Sequence, residues 1–112
     1  MVLQIVRASI KPERRDHWLE VIRLNAARTR AEAGCDSYQV AQDLEHPDDY
    51  VIVEQWASME AVHEHFRNQF GWLMSTLGDV FTVPPTATFH DVTSSATLGE
   101  VLAAAGASPA PR

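Results

Sequence analysis

Two histidines one residue apart, His63 and His65, lie in the stretch EQWASMEAVHEHF, residues 54–66. A His-x-His pair raises the question of a shared metal ion. On a helix, however, neighbouring residues are about 100° apart, so these imidazoles diverge by about 200°. A helical metal pair uses i,i+4 spacing, as in His-Glu-x-x-His. Cys35 is the single cysteine and no carboxylate cluster supplies further ligands, so no metal site is expected. Within the apolar stripe Val62, Phe66, Phe70 and Leu73, His65 falls beside the buried face and His63 toward solvent. There a neutral imidazole is either a satisfied, partly buried side chain or a general base working near neutral pH. His17, His46 and His90 fall on a helix start, a turn and a last strand, and read as surface or edge residues.

Other polar candidates are fewer. Glu54 and Trp56 share one face of a strand, where Trp56 reads first as packing. If Glu54 faces a partner sheet it needs a partner, since an unpaired buried carboxylate is costly; Arg7 is one candidate, in an interface ion pair rather than an active acid. Asn25 interrupts a helical apolar stripe seven residues after Trp18 and is a candidate polar hook in a pocket. Phe66, Phe70, Trp72 and Met74 are core residues first, and second the wall of a pocket for a planar aromatic ligand.

These side chains need elements to hold them. Residues 2–10, VLQIVRASI, read as a strand ending at Lys11-Pro12. Pro12 suits a first helical position, and Glu13 and Asp16 suit the helix dipole. Trp18, Val21, Ile22, Ala26 and Ala33 then mark a helix ending near Gly34, the usual left-handed cap. Residues 36–43 and 50–56 read as two strands joined by a turn containing His46-Pro47-Asp48. Ser58 is a suitable N-cap for a second helix. Asn68 and Gly71 predict a break in it, with the stripe resuming to Phe81 before Pro84-Pro85. Residues 86–92 make the fourth strand.

The order is βαββαβ, a ferredoxin-like α+β arrangement with a four-stranded antiparallel sheet over residues 1–93. Residues 94–112 form a tail, with a short helix at 97–105 followed by a mobile end. The first strand is apolar on both faces, Leu3 and Ile5 against Val2, Val6, Ala8 and Ile10. The third repeats this with Val51 and Val53 against Tyr50, Ile52 and Trp56. A sheet open to water on one side alternates apolar with polar residues. The second face therefore calls for a cover, and the same sheet from another copy supplies it: a homodimer through sheet faces.

Composition narrows the function classes. A chain of 112 residues with 46% hydrophobic and 21% charged content is one ordinary globular domain. The net charge is −6, and the nine basic residues, eight of them Arg, are scattered. This argues against nucleic-acid or anionic-membrane binding. No internal disulfide is possible, and the apolar N-terminal run is too short for a signal peptide or membrane span; a cytoplasmic protein is expected.

The run EAGCDSYQVAQDLEHPDDYVIVEQWASMEAVHEHFRNQFGWL, residues 32–73, resembles the antibiotic biosynthesis monooxygenase (ABM) domain. Glu32, Gly34, Cys35, Tyr38, Pro47, Tyr50, Glu54, Trp56, Ser58, Ala61, His65 and Phe70 carry the resemblance, which extends over residues 2–92. It implies a dimeric α+β barrel and, in one branch, oxidation of quinols or anthrones by O2 without metal or flavin. Other branches degrade heme or rearrange small signalling molecules. Heme-degrading relatives place Asn, Trp and His where this sequence has Val6, His65 and Ser75, so heme degradation is not implied. The resemblance thus points to a cofactor-free monooxygenase for a small aromatic molecule. Its alternatives are a non-catalytic dimeric binding module and an isomerase-like relative. His65 is the candidate base; Asn25, Trp56, Phe66, Phe70, Trp72 and Met74 are the candidate substrate-binding residues.

Overall fold

A computed structural model describes residues 1–107. β1 (Val2–Ser9) leads through a 3-10 turn at Pro12–Arg14 into α1 (Arg15–Arg30). β2 (Cys35–Gln42) and β3 (Asp49–Trp56) follow, then α2 (Met59–Leu77), β4 (Thr86–Asp91) and α3 (Leu98–Ala105). The four strands form one antiparallel sheet in the order β2-β3-β1-β4. This is the βαββαβ order of a ferredoxin-like α+β fold. The mobile end expected beyond the tail helix falls mainly on residues 108–112, which lie outside the described residues.

α1 and α2 cover one face of the sheet because the strands alternate. Val2, Gln4 and Ala8 of β1 and Tyr50, Ile52, Glu54 and Trp56 of β3 are buried. Trp18, Val21, Ile22 and Ala26 of α1 meet Ala8, Tyr50 and Ile52 in the main core, with Leu77 at the end of α2 and Val80 after it, while Val2 and Trp56 pack with Val62 in a second cluster. Trp18 is 2% exposed and packs against the rings of Tyr50 and Phe81, with centroids 5.5 and 6.1 Å away. Removing so large a buried ring costs about 3–5 kcal/mol. On the opposite face Leu3 and Ile5 are half-buried and Val53 is 37% exposed.

Several local expectations are corrected. α2 runs unbroken through Asn68 and Gly71: the Asn68 side chain donates to Glu64, and one interior glycine costs only about 1 kcal/mol, less than the aromatic packing on either side returns. The helix stops at Leu77, not near Phe81, because Gly78 adopts φ 65°. Phe81 reaches the core by bridging to Ile10 instead. α1 ends at Arg30, and Gly34, at φ 86°, belongs to the following turn. His17 is no surface residue: its Nε2 lies 2.7 Å from the Thr76 carbonyl and ties α1 to α2.

Glu54 also departs from expectation. It shares the helix-covered face with Ile52 and Trp56, is 3% exposed, and pairs across the strands with Gln4. Arg7 stands opposite Val51, on the other face, so the Glu54–Arg7 pair cannot form. Strand parity is the reason, since a side chain one residue out of phase points through the sheet.

Candidate functional site

The site is built where the turn after α1 meets the start of α2. Gly34 is the joint. Its carbonyl accepts from the Ala57 N–H at 2.8 Å, and a Cβ placed on it would lie 2.7 Å from the Ala61 Cβ. Both the positive φ and this approach require glycine. Ser58 caps α2, its Oγ accepting from Ala61 N–H at 3.1 Å. His65, one helical turn beyond Ala61, is thereby set beside Glu32. Their Nδ1 and Oε2 atoms are 2.5 Å apart, and His65 is 8% exposed.

A histidine donating Nδ1–H to a carboxylate carries its basic lone pair on Nε2, and Nε2 has no hydrogen-bond partner among the described residues. The ring packs at a 38° tilt against Trp56, centroids 4.7 Å apart, and meets Phe66 edge-on at 5.5 Å. His63 is exposed on the other side of the helix. Among the described residues no three His, Cys, Asp or Glu side chains converge to hold a metal ion.

His65 borders a cavity of about 360 Å³ between α2 and the sheet, within the range of small-ligand sites. Val6, Ile52, Phe66, Phe70, Leu73 and Met74 give it apolar walls, and Gln4, Asn25, Tyr38, Glu54 and Gln69 join His65 as its polar lining. Asn25 Nδ2 donates to the Tyr38 hydroxyl at 2.9 Å. Glu54 Oε1 accepts from Trp56 Nε1 at 3.1 Å. Burial pushes the Glu54 carboxyl up to about 7, against the opposing Trp56 N–H, with nearby Glu32 adding to the rise. The same burial, with Glu54 close by, holds the Tyr38 phenol well above its usual range. Gln4 Oε1, Asn25 Oδ1 and Gln69 Oε1 are buried without a partner. Each such acceptor costs about 1–3 kcal/mol while unpaired.

Of the sequence candidates, the fold brings His65, Asn25, Phe66, Phe70 and Met74 to this cavity. Trp56 is fully buried beneath it and supports the His65 ring and the Glu54 carboxyl. Trp72 is not part of the lining; its ring lies under the Arg28 guanidinium at 3.8 Å. The cavity stripe runs through residues 66, 69, 70, 73 and 74, and Trp72 is turned about 200° from Phe70. Sequence reasoning gave Glu32 no role and passed over Gln4 and Gln69. Polar residues at helix-facing positions, Gln4 between Val2 and Val6 and Gln69 beside Phe66 and Leu73, were the available signal. A second, open groove of about 690 Å³ runs between α1 and β2, lined by Arg15, Arg23 and Arg30 among others. There Arg15 pairs with Asp48, and Arg30 donates to the Tyr38 carbonyl.

Fold and site together define a small α+β domain with a part-buried Glu–His pair at the polar end of an aromatic-walled cavity. The family model described as antibiotic biosynthesis monooxygenase matches residues 1–69, and the chain belongs to that family. Among solved structures, a Deinococcus radiodurans protein provisionally named an antibiotic biosynthesis monooxygenase superposes with TM-score 0.81 at 24% identity. That match covers 88% of this chain and 98% of the other. Rv0793 from Mycobacterium tuberculosis gives TM-score 0.78 at 25% identity, covering 86% and 98%. A crystal structure described as antibiotic biosynthesis monooxygenase gives 0.77 at 26%, covering 84% and 100%. No curated protein matches the chain with significance. Family and fold support a monooxygenase-like role, and no described helix is long and apolar enough to cross a membrane.

Proposed function

We propose that the protein is a cofactor-independent monooxygenase that oxidises a small aromatic of the quinol or anthrone type with O2. The observation that carries this reading is the part-buried Glu32–His65 pair, whose histidine borders an apolar cavity. His65 Nε2 removes a proton from the activated C–H or O–H of the substrate, and Glu32 steadies the imidazolium that forms. The substrate anion passes one electron to O2, giving superoxide and a substrate radical, which combine through a new C–O bond. The resulting hydroperoxide loses water as its O–O bond breaks. At an anthrone-type CH2 carbon the product is a carbonyl, with one oxygen atom retained and the other released as water. The substrate supplies all the electrons. Apolar walls exclude bulk water from the radical pair.

The apolar outer face of the sheet, with Leu3, Ile5 and Val53, supports pairing with a second copy through a two-fold interface. The cavity itself lies within one protomer.

Oxygen uptake by chelator-treated protein with a panel of quinols and anthrones tests the reading. Uptake is expected with at least one member and is expected to fall about 100-fold or more in His65→Ala. No uptake with any member, or undiminished uptake in the variant, overturns it.

A further inference from the structure

Loss of water from the hydroperoxide needs a proton donor that the Glu32–His65 pair does not supply. His65 takes the first substrate proton and returns it to the new peroxide oxygen. Breaking the O–O bond then requires removal of the second C–H proton, a task that again falls to His65 Nε2, while a hydroxide departs. One imidazole cannot accept a proton and donate one in the same step. A bare hydroxide among apolar walls is costly, so a second group must protonate it as it leaves.

Among the described residues that line the cavity, only His65, Tyr38 and Glu54 carry titratable side chains. The Tyr38 hydroxyl accepts from Asn25 Nδ2, and burial holds the phenol well above its usual range, so it releases no proton near neutral pH. Glu54 remains. It stands on β3 between Gln4 of β1 and Tyr38 of β2, and its Oε1 accepts from Trp56 Nε1, which leaves the acidic proton to Oε2. Oε2 has no hydrogen-bond partner among the described residues, and it is not sealed as Gln4 Oε1 and Asn25 Oδ1 are. No Lys or Arg lines the cavity to ionise the acid. Burial, with the charge of nearby Glu32 adding to it, pushes the carboxyl up to about 7, so the acid form is present near neutral pH. One indole also ties the two groups together: the Trp56 ring packs on the base and its N–H holds the acid.

We propose that Glu54 is the general acid of O–O cleavage, giving its Oε2 proton to the departing oxygen while His65 Nε2 takes the remaining C–H proton. The C–H electron pair becomes the second bond of the carbonyl. The O–O pair leaves with the distal oxygen, and that hydroxide with the Glu54 proton is water. The substrate carbon is oxidised and the peroxide oxygen reduced, with no other source of electrons. His65 is then left with one proton more and Glu54 with one fewer, and transfer between them restores both. This deepens the reading above and rests on it for the steps that form the hydroperoxide.

Glu54→Gln tests this, since it keeps the acceptor for Trp56 Nε1 and removes only the proton. Wild type and variant are mixed with the panel member that supports uptake and quenched at successive times. O2 consumed, carbonyl product and organic hydroperoxide, trapped with triphenylphosphine, are measured together. Wild type is expected to give one carbonyl per O2 with no hydroperoxide built up. The variant is expected to begin uptake at a rate within about threefold of wild type, while carbonyl formation slows about 100-fold and hydroperoxide makes up the difference. Carbonyl formed by the variant as fast as by wild type overturns the proposal and leaves the monooxygenase reading standing. A parallel loss of uptake and carbonyl with no hydroperoxide does the same, because Glu54 then acts before the O–O bond breaks. No uptake by wild type with any panel member removes both.

Discussion

Glu54 makes the fold's stability depend on pH in a way that one substitution isolates. Its carboxyl is raised from the ordinary 4.5 to about 7, burial being the main cause. The native state therefore holds a proton that the unfolded chain releases between those values. Wherever the native state binds more protons, stability falls as pH rises. The contribution is complete below 4.5 and is lost through about 7. At about 1.4 kcal/mol per unit, the loss amounts to about 3 kcal/mol. Glu54→Gln replaces the neutral acid with a neutral amide whose Oε1 still accepts from Trp56 Nε1, and so removes the dependence. Urea unfolding followed by tryptophan fluorescence, in half-unit pH steps across the window at fixed protomer concentration, measures it. Wild type and variant are expected to be about equally stable at the acidic end. At the alkaline end the variant leads by about 3 kcal/mol, which is a midpoint shift of about 1 M urea or more. A stability difference that stays flat within about 0.5 kcal/mol across the window refutes the argument.

Glu32→Gln keeps size and hydrogen bonding but removes the charge behind His65; substrate turnover is expected to fall about tenfold or more in kcat with KM little changed. Gly34→Ala meets both a left-handed backbone, costing about 1–2 kcal/mol, and the Ala61 Cβ. Thermal unfolding should show a loss above that range, and an unchanged melting temperature contradicts the close-approach account. Phe70→Ala is expected to raise the KM for the panel member that supports uptake, whereas Trp72→Ala leaves it unchanged and costs about 1 kcal/mol of stability through the lost Arg28 contact. Sedimentation at micromolar concentration is expected to give a dimer that Val53→Lys dissociates; a monomeric wild type removes the sheet-to-sheet interface.

The architecture was legible because local and global signals agree here: strand alternation, the Ser58 cap and the stripe of α2 each state one fact about one element. Glu54 was legible too, since it is two residues from both Ile52 and Trp56 and so must share their face. Preference for a charged partner pointed to Arg7, which the same alternation places on the other side. The Asn68–Gly71 break failed because breaker residues were weighed without the aromatic packing that carries the helix through them. Glu32 beside His65 was not legible from composition or periodicity. Their contact spans 33 residues and depends on a glycine small enough to let a turn touch a helix. Trp72 is the converse case: an aromatic near a pocket in sequence is on the wrong side of the helix in space.

The unbroken α2 places chemistry and selectivity on one rod. His65 and Met74 are nine positions apart, about 13 Å along the axis at 1.5 Å per residue. The base stands toward one end, and successive turns carry Phe66, Phe70 and Met74 away from it. Cavity length can therefore be changed one turn at a time, by altering residue size at 70, 73 or 74, while the Glu32–His65 contact stays in place. Variants that trade these residues for smaller ones should accept longer ring systems with the reacting atom still at the imidazole. The helix serves as a graduated gauge, fixed at its zero mark by Gly34 against Ala61.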